Sequence, residues 1–267
     1  GRGGIDAGFR GVGRIGRDGA VLELGHAGLR IRVGAVPAKA SGEARLAGRI
    51  PQEARGVKCR RQTRLGGVPA PTRFAYFVTP HGFGHAARTA AIVEALAHRL
   101  PGCRIDLWTS VPSWFFAESL TVPHLLHDLE CDVGLVQKSP VAEDLPASLA
   151  ALERFWSAAD RTRIHEVAQA VIASGAQGVI CDIAPFGLDV ARAAGLPAAL
   201  IENFTWDWIY EPLAANLPRF TYWAERLGAK FAQAELHLQL EPCCRRAAGA
   251  LTAPPVARAP RRSREQI

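Results

Sequence analysis

The stretch from Phe74 to Arg99 constrains the fold more than any other part of the 267-residue chain. Residues 74–80 are mostly apolar and rich in strand-forming types, residues 81–85 read His-Gly-Phe-Gly-His, and residues 86–99 repeat apolar side chains at helical spacing. The turn then follows the carboxyl end of a strand, where free N–H groups of the helix favour a phosphate, a carboxylate or the polar edge of a sugar. The sequence therefore predicts an α/β unit with a ligand-binding turn at residues 81–85.

Strand and helix patterns continue to alternate up to residue 240. Further strands are predicted at 104–110, within 124–136 and best at 133–136, and at 178–182, 198–201 and 236–240; helices are predicted at 112–120, 146–174, 186–194, 206–213 and 222–234. In the helix at 112–120, Trp114, Phe115 and Phe116 are expected to turn inward. Strands separated by helices imply right-handed crossovers and therefore an α/β fold with a Rossmann-like parallel sheet and flanking helices.

Two motifs carry a resemblance to a known family. The segment His81-Gly-Phe-Gly-His-Ala-Ala-Arg88 and the run from Asp182 to Tyr210 resemble the amino-terminal, MurG-like acceptor domain of GT-B glycosyltransferases and the glycosyltransferase-like half of plant arabinokinases. The resemblance covers residues 74–242. It implies that this domain mainly holds the acceptor, while a second, carboxyl-terminal domain holds a nucleotide sugar. The implied function is transfer of a sugar from that donor to a hydroxyl of a sugar or lipid-linked acceptor.

The two histidines of the turn are the candidate catalytic residues. Transfer needs a base that removes the proton of the acceptor hydroxyl, and a histidine has a suitable pKa. His85 is the first candidate, because its place at the end of the turn matches the loop histidine of the MurG-like branch; His81 is the second. Each histidine taken alone also fits a structural role, in which it hydrogen-bonds to the backbone beside the helix start.

Candidate substrate-binding residues follow the carboxyl ends of the predicted strands, which meet at one rim of a parallel sheet. They are Gly82, Gly84, Arg88, Asp182, Asn203 and Trp206. Trp206, like Trp208, is a candidate to stack on a sugar ring. Simpler roles compete for three of the six: Arg88 fits a solvated helix face, Asp182 fits a cap of the next helix, and Trp206 fits packing between domains. Neither a cofactor nor a metal is predicted.

Charge divides the chain into three parts. Residues 1–73 carry 15 Lys and Arg against 5 Asp and Glu, residues 74–242 carry 11 against 19, and residues 243–267 carry 6 against 1. The acidic middle part is the predicted domain, and the two basic flanks are predicted to be poorly ordered, with a hairpin over 21–33. Nucleic acid is not an expected partner, because aromatic residues are not interleaved with the arginines. The Gly-, Arg- and Pro-rich ends also fit a fragment or a wrongly framed reading of GC-rich DNA.

The cysteines and the hydropathy pattern bear on localisation. The six cysteines include the adjacent Cys243 and Cys244 and form no Cys-x-x-Cys pair, so reduced thiols are expected. The sequence shows no signal-peptide core and no run approaching the ~18 apolar residues of a membrane span. A cytoplasmic protein is expected, acting at the inner membrane surface if its acceptor is a lipid.

The length of the chain limits the function that the resemblance implies. Only 27 residues follow Leu240, whereas the donor domain of a GT-B enzyme needs about 100–150. The chain alone is therefore expected not to transfer sugar. Two interpretations remain: the acceptor-side half of a glycosyltransferase, and a non-catalytic sugar- or partner-binding module. A third is a domain linked to a sugar kinase, as in arabinokinases, although no sugar-kinase motif is present.

Overall fold

The computed structural model describes residues 20–24, 29–33, 71–157 and 160–258. The strands are β1 Ala20–Leu24, β2 Leu29–Val33, β3 Arg73–Val78, β4 Arg104–Thr109, β5 His124–Asp128, β6 Gln137–Ser139, β7 Ala142–Glu143, β8 Gly178–Asp182, β9 Ala198–Glu202, β10 Leu236–Leu240 and β11 Leu251–Ala253. The helices are α1 Phe83–Arg99, α2 Ser113–Ser119, α3 Leu145–Phe155, α4 Asp160–Ala173, α5 Pro185–Ala194, α6 Trp206–Leu213 and α7 Arg219–Phe231. β1 and β2 form the predicted antiparallel hairpin. Of the extensions predicted at 1–18 and 36–73, only residues 71–73 are described, and Arg73 already belongs to β3.

Seven strands form one parallel sheet in the order β11-β10-β9-β8-β3-β4-β5. The chain runs outward from β3 to β5, returns to the other side of β3 at β8, and runs outward again to β11. The order therefore reverses between β3 and β8, and in such sheets a crevice for ligands opens at the carboxyl ends of the two strands that flank the reversal. The predicted Rossmann-like parallel sheet is confirmed, with β3 in its interior.

Helices cover both faces of this sheet. Side chains of β3 alternate between the faces, so that Tyr76 packs with α1 and α2, while Phe77 packs with helices α3 to α7. Tyr76 and Phe77 are both fully buried. A strand covered on both faces needs apolar residues throughout, which explains why β3 and β8 read as continuous apolar runs.

The prediction of the third strand at 133–136 is wrong. The strand beside β4 is β5, where His124 pairs with Ile105 and Asp128 pairs with Thr109. β5 is an edge strand with exposed positions, so its sequence lacks the apolar run of a buried strand. The apolar side chains of residues 133–136 have a different cause, since Val133 packs against the core of the α3 to α7 face.

Two helix predictions are also corrected. The helix predicted at 146–174 is two helices, because Trp156 adopts φ −93° and ψ 26° and ends α3. Trp114 does not turn inward and is 51% exposed. Helix α2 has only seven residues, and Phe115 and Phe116 occupy the side that faces the sheet.

The carboxyl-terminal flank contains part of the sheet. Leu251 pairs with Leu238 of β10, and Ala253 is buried. The prediction of a disordered tail from residue 243 onward is therefore wrong for β11. A strand of three residues is too short for a periodic pattern, so no strand was predicted there. Residues 259–267 lie outside the described part of the chain.

Candidate functional site at the carboxyl rim of the sheet

Helix α1 begins at Phe83, earlier than the predicted residue 86, and this places Gly84, His85 and Arg88 in its first turns. Gly82 allows the early start, because it adopts φ 78°, a left-handed value that side chains other than glycine rarely take. No side chain caps the N–H groups of this helix end. Gly82 therefore shapes the turn, and His85 and Arg88 are carried on a rigid element instead of a loop.

Four of the predicted site residues form one hydrogen-bonded cluster. Asp182 ends β8, and its Oδ2 accepts a hydrogen bond from Nε of Arg88 at 2.7 Å, while its Oδ1 accepts one from Nη2. Nδ1 of His85 lies 2.8 Å from Oδ1 of Asp182. Nη1 of Arg88 donates to Oδ1 of Asn203 at 2.9 Å. Arg88 is thus not a solvated face residue, and Asp182 does not cap α5 through its side chain.

The register of the sheet explains why these residues meet. Val78, the last residue of β3, pairs with Asp182 in the neighbouring strand β8. Helix α1 follows β3 in the chain and packs on the sheet face that carries Tyr76, so its first turns lie beside Asp182. His85 and Asp182 are 97 residues apart in the chain, and the parallel pairing of β3 with β8 brings them together.

Burial and pairing together set the charge of the cluster. Burial alone would raise the pKa of Asp182, but hydrogen bonds and charge from Arg88 and His85 outweigh it and lower the pKa. Burial likewise opposes the charge of Arg88, yet its hydrogen bonds and charge pairing with Asp182 raise the pKa of that guanidinium. The side chain of Asp182 has no exposed surface, and that of Arg88 is 11% exposed. The cluster is therefore a buried, ionised pair.

The ionised carboxylate fixes the tautomer of His85. A carboxylate only accepts hydrogen bonds, so the Nδ1 atom of His85 must be the donor to Asp182. Arg88 Nη2 also lies 3.1 Å from this Nδ1, but a guanidinium cannot donate to a protonated nitrogen, and its hydrogen is directed to Asp182 instead. In the neutral form of the ring, the Nε2 atom of His85 then carries the lone pair that a base requires.

His81 occupies a different environment from His85. Its ring lies against the backbone of Gly134, where an added Cβ would come within 2.2 Å of the imidazole, and it makes an edge contact with the ring of Trp206 at 5.3 Å. Burial, with a smaller contribution from the charge of His85, lowers the pKa of His81 to about 4. His81 is therefore a neutral imidazole near pH 7.

Trp206 does not offer a ring face to a sugar in this structure. It is 5% exposed, and its Nε1 donates to Oδ2 of Asp132 at 2.5 Å. The predicted stacking role is therefore corrected, because the first residue of α6 turns inward under the His81 ring. Trp208 remains partly exposed and lines a cavity of about 360 Å³ beside β10 and α7.

Asp132 is a site residue that the sequence analysis missed. Its carboxyl is buried, and burial raises its pKa to about 7 even though hydrogen bonds from Trp206 and the Val133 amide favour the ionised form. One signal was available: Asp132 is an isolated acid in the otherwise apolar segment 131–136.

Replacing Asp132 with asparagine is expected to change how stability depends on pH. The folded-state pKa of about 7 exceeds the ordinary value of 3.8, so the native carboxyl contributes stability below pH 3.8 and loses it as the pH rises to about 7. The wild type should therefore lose stability relative to Asp132→Asn by about 1.4 kcal/mol per pH unit in that window. Urea unfolding at several pH values measures the difference, with exposed Asp128→Asn as the control for loss of a charge. A difference that stays flat across the window would contradict the prediction.

Ile183, which follows Asp182, is strained. Its φ is 43°, a left-handed value that is unfavourable for a β-branched residue, and its side chain is fully buried. Such strain is found where surrounding structure holds a functional residue in place. Isoleucine is among the residues least expected at positive φ, so no sequence pattern indicated this turn.

A groove opens beside the cluster on the α1 face. It has a volume of about 1220 Å³ and is lined by Gly84, Arg88, Trp114 and Phe115, among others. Phe83, at its edge, is 48% exposed and contacts the ring of Trp114 at 5.4 Å. The rim thus combines a buried polar cluster with exposed aromatic surface.

The sheet and its flanking helices define a Rossmann-like α/β domain. No protein-family model matches the chain. In sequence it is similar to L-arabinokinase from Arabidopsis thaliana, with 34% identity over 152 residues; the match covers 54% of this chain and 14% of the arabinokinase. The sequence resemblance to plant arabinokinases is thereby confirmed, and the chain spans about one seventh of the length of that relative.

Solved structures similar to this chain include two GT-B glycosyltransferases. One is a UDP-glucosyltransferase from Polygonum tinctorium, with TM-score 0.46 and 15% identity, covering 73% of this chain and 55% of the enzyme. The other is MurG of Acinetobacter baumannii, with TM-score 0.41 and 13% identity, covering 71% of this chain and 47% of the enzyme.

Neither a helix able to cross a membrane nor a metal-binding cluster occurs among the described residues. None of the helices in the described ranges is both long and apolar enough to cross a bilayer. Within the same ranges, no group of three or more His, Cys, Asp or Glu side chains is placed to hold a metal ion.

Proposed function

We propose that this domain is the acceptor side of a GT-B-type glycosyltransferase, and that His85 is the base that deprotonates the acceptor hydroxyl. The observation that carries the proposal is the hydrogen bond of 2.8 Å between His85 and the buried, ionised Asp182. It occurs at the point where the strand order reverses, which is where α/β sheets bind ligands.

The chemistry assigned to this pair follows from its geometry. Asp182 holds Nδ1–H of His85, so Nε2 can take the proton of a hydroxyl while that oxygen attacks the anomeric carbon of the donor sugar. The bond from that carbon to the phosphate of the donor breaks in the same step, and the nucleotide leaves with its electron pair. The carboxylate then stabilises the imidazolium that forms, as in hydrolase triads. The positive charge of Arg88 offsets part of the negative charge of the carboxylate, but its hydrogen bonds hold the carboxylate in position. Asn203 holds Arg88 in position in turn.

His81 is less suited to be the base. A general base works best when its pKa lies near the working pH, and the pKa of His81 is lowered to about 4. Its neutral ring instead offers one hydrogen-bond donor and one acceptor. We assign to His81 the recognition of a polar group of the acceptor.

The proposed partners are a nucleotide-sugar donor, held by a second domain, and a sugar or lipid-linked acceptor. The groove along α1 and α2, with Phe83 and Trp114 exposed at its edge, has the mixed polar and apolar character that a glycolipid acceptor would require. The proposed localisation is the cytoplasm, with the inner membrane surface as the place of action for a lipid acceptor.

A second candidate function is a sugar-binding module linked to a sugar kinase. The identity of 34% with a stretch of L-arabinokinase favours it. In that case the same cluster would bind a pentose such as L-arabinose without transferring sugar to it.

The two candidates are separated by measuring binding and transfer in parallel. Saturation-transfer NMR with the full chain detects monosaccharide and polyprenyl-phosphate ligands, and mass spectrometry detects transfer from UDP-, GDP- and dTDP-sugars, with and without the donor domain. Acceptor binding with transfer that His85→Gln abolishes supports the transferase. Selective binding of L-arabinose with no transfer in either form supports the kinase-linked module. Absence of both binding and transfer contradicts both.

A further inference from the structure

Residues 131–134 form a support beneath the site, which we call the 131–134 support. Its backbone is anchored at two places. Sγ of Cys131 donates to the carbonyl oxygen of Val78 at 3.1 Å, and the carbonyl oxygen of Val133 accepts from the hydroxyl of Tyr210 at 3.2 Å. Cys131 is fully buried and Tyr210 is 1% exposed. The support is thus fixed both to the end of β3 and to α6.

The other two residues of the support contact the turn that carries His81. Asp132 accepts the indole N–H of Trp206, and Trp206 in turn meets the His81 ring at 5.3 Å with an interplanar angle of 78°. Gly134 also meets the imidazole, so closely that an added Cβ would be 2.2–2.4 Å from three of its ring atoms. The imidazole is therefore in contact with both a glycine backbone and the indole ring.

We infer that Asp132 and Gly134 are positioning residues that hold the His81 imidazole in one orientation at the rim of the site, Gly134 by direct contact and Asp132 through Trp206. The functional role of this orientation rests on the proposed function. A fixed, neutral imidazole presents one hydrogen-bond donor and one hydrogen-bond acceptor to a hydroxyl of the acceptor substrate. The positioning itself is a property of this chain and does not depend on which sugar is bound.

The neighbouring charges are consistent with a neutral, partly buried His81 ring. His81 faces His85 from α1, and burial together with the charge of His85 lowers its pKa to about 4. Asp132 faces Asp182 from β8, whose charge raises the Asp132 pKa, and it faces Tyr210 from α6. A ring released from between Gly134 and Trp206 would regain water and therefore a more ordinary pKa.

The test is an NMR pH titration of the full chain labelled with ¹³C and ¹⁵N in histidine, with the His81 signal assigned by its loss in His81→Gln. The wild-type midpoint should lie at about 4. Gly134→Ala must displace the ring, so the midpoint should rise by about one unit or more toward the ordinary value of about 6.5. Trp206→Phe keeps an aromatic ring but removes the N–H that binds Asp132, and it should shift the midpoint in the same direction by less.

Gly178→Ala is the matched control. An added Cβ there would meet Phe74 at 3.5 Å, an ordinary contact, at a buried glycine near the opposite end of the sheet. Its His81 midpoint should equal that of the wild type. A folded Gly134→Ala or Trp206→Phe with an unchanged midpoint would overturn the inference; if Gly134→Ala does not fold, Trp206→Phe decides alone.

Binding measurements keep this inference distinct from the proposed function. If an acceptor is found, Gly134→Ala should weaken its binding by about fivefold, the effect of losing one neutral hydrogen bond, and leave turnover at saturation nearly unchanged. A shifted His81 midpoint with no acceptor found would support the positioning and count against the transferase. An unshifted His81 midpoint in a protein that transfers sugar would support the transferase and count against the positioning.

Discussion

Asp182→Ala is expected to lower the free energy of unfolding by about 3–5 kcal/mol, the cost of removing one partner from a buried ion pair. The variant leaves the Arg88 guanidinium, 11% exposed in its side chain, without its carboxylate and leaves His85 Nδ1 without its acceptor. The bond to Asn203 at 2.9 Å would remain, and Nη2 of Arg88 would still lie 3.1 Å from Nδ1 of His85, but no carboxylate would neutralise the guanidinium. Urea unfolding at pH 7 measures the change.

Two comparison variants show whether burial is the cause. Asp182→Asn retains an oxygen acceptor of the same shape and should lose less than Asp182→Ala. Glu153→Ala breaks the pair with Arg219, whose side chains are 43% and 55% exposed, and should cost less than about 1 kcal/mol. Equal losses at the two sites would show that the cluster is no stronger than a surface pair.

The advantage of the wild type over Asp182→Ala should also depend on pH in a stated direction. The folded-state pKa of Asp182 is lowered, so its contribution is complete above the ordinary value of 3.8 and is lost as the pH falls through the lower, folded value. The difference between the two proteins should therefore shrink only at strongly acid pH.

The main part of the site was predictable from the sequence because it depends on strand order alone. Once β3 and β8 are parallel neighbours, Asp182 must lie beside the turn after Val78, and the same geometry brings His85 and Asn203 to that rim. Strong patterns marked each of these strands, since strands buried on both faces are continuously apolar.

The parts that the sequence did not reveal depend on contacts between irregular segments. Trp206 and Asp132 are 74 residues apart and meet through a loop and a helix start, so no periodicity links them. The close approach of Gly134 to His81 and the positive φ of Ile183 likewise follow from tertiary packing. In the sequence, only the family resemblance ranked His85 above His81, whereas packing separates a carboxylate-bound His85 from a partly buried His81.

If the proposed transferase function holds, His85→Ala is expected to lower kcat for sugar transfer by about 10²–10⁴-fold when the chain is joined to a donor domain, with little change in donor affinity. The variant removes the base but leaves the Arg88–Asp182 pair, which holds the rim in shape. Initial rates at saturating donor and acceptor measure the effect, with melting temperature recorded for each variant.

The controls distinguish a missing base from a disturbed rim. His81→Ala should mainly raise the KM for the acceptor, because the pKa of about 4 makes His81 a poor base and leaves it the role of a hydrogen-bonding group. His124→Ala removes an imidazole that bonds to the Val122 carbonyl at the far end of β5 and should leave both constants unchanged. Asp182→Asn, whose amide can donate to Nδ1, should favour the tautomer with a proton on Nε2 and lower kcat as well. An unimpaired His85→Ala enzyme would remove His85 as the base, and a loss of kcat in His81→Ala as large as that predicted for His85→Ala would transfer the role to His81.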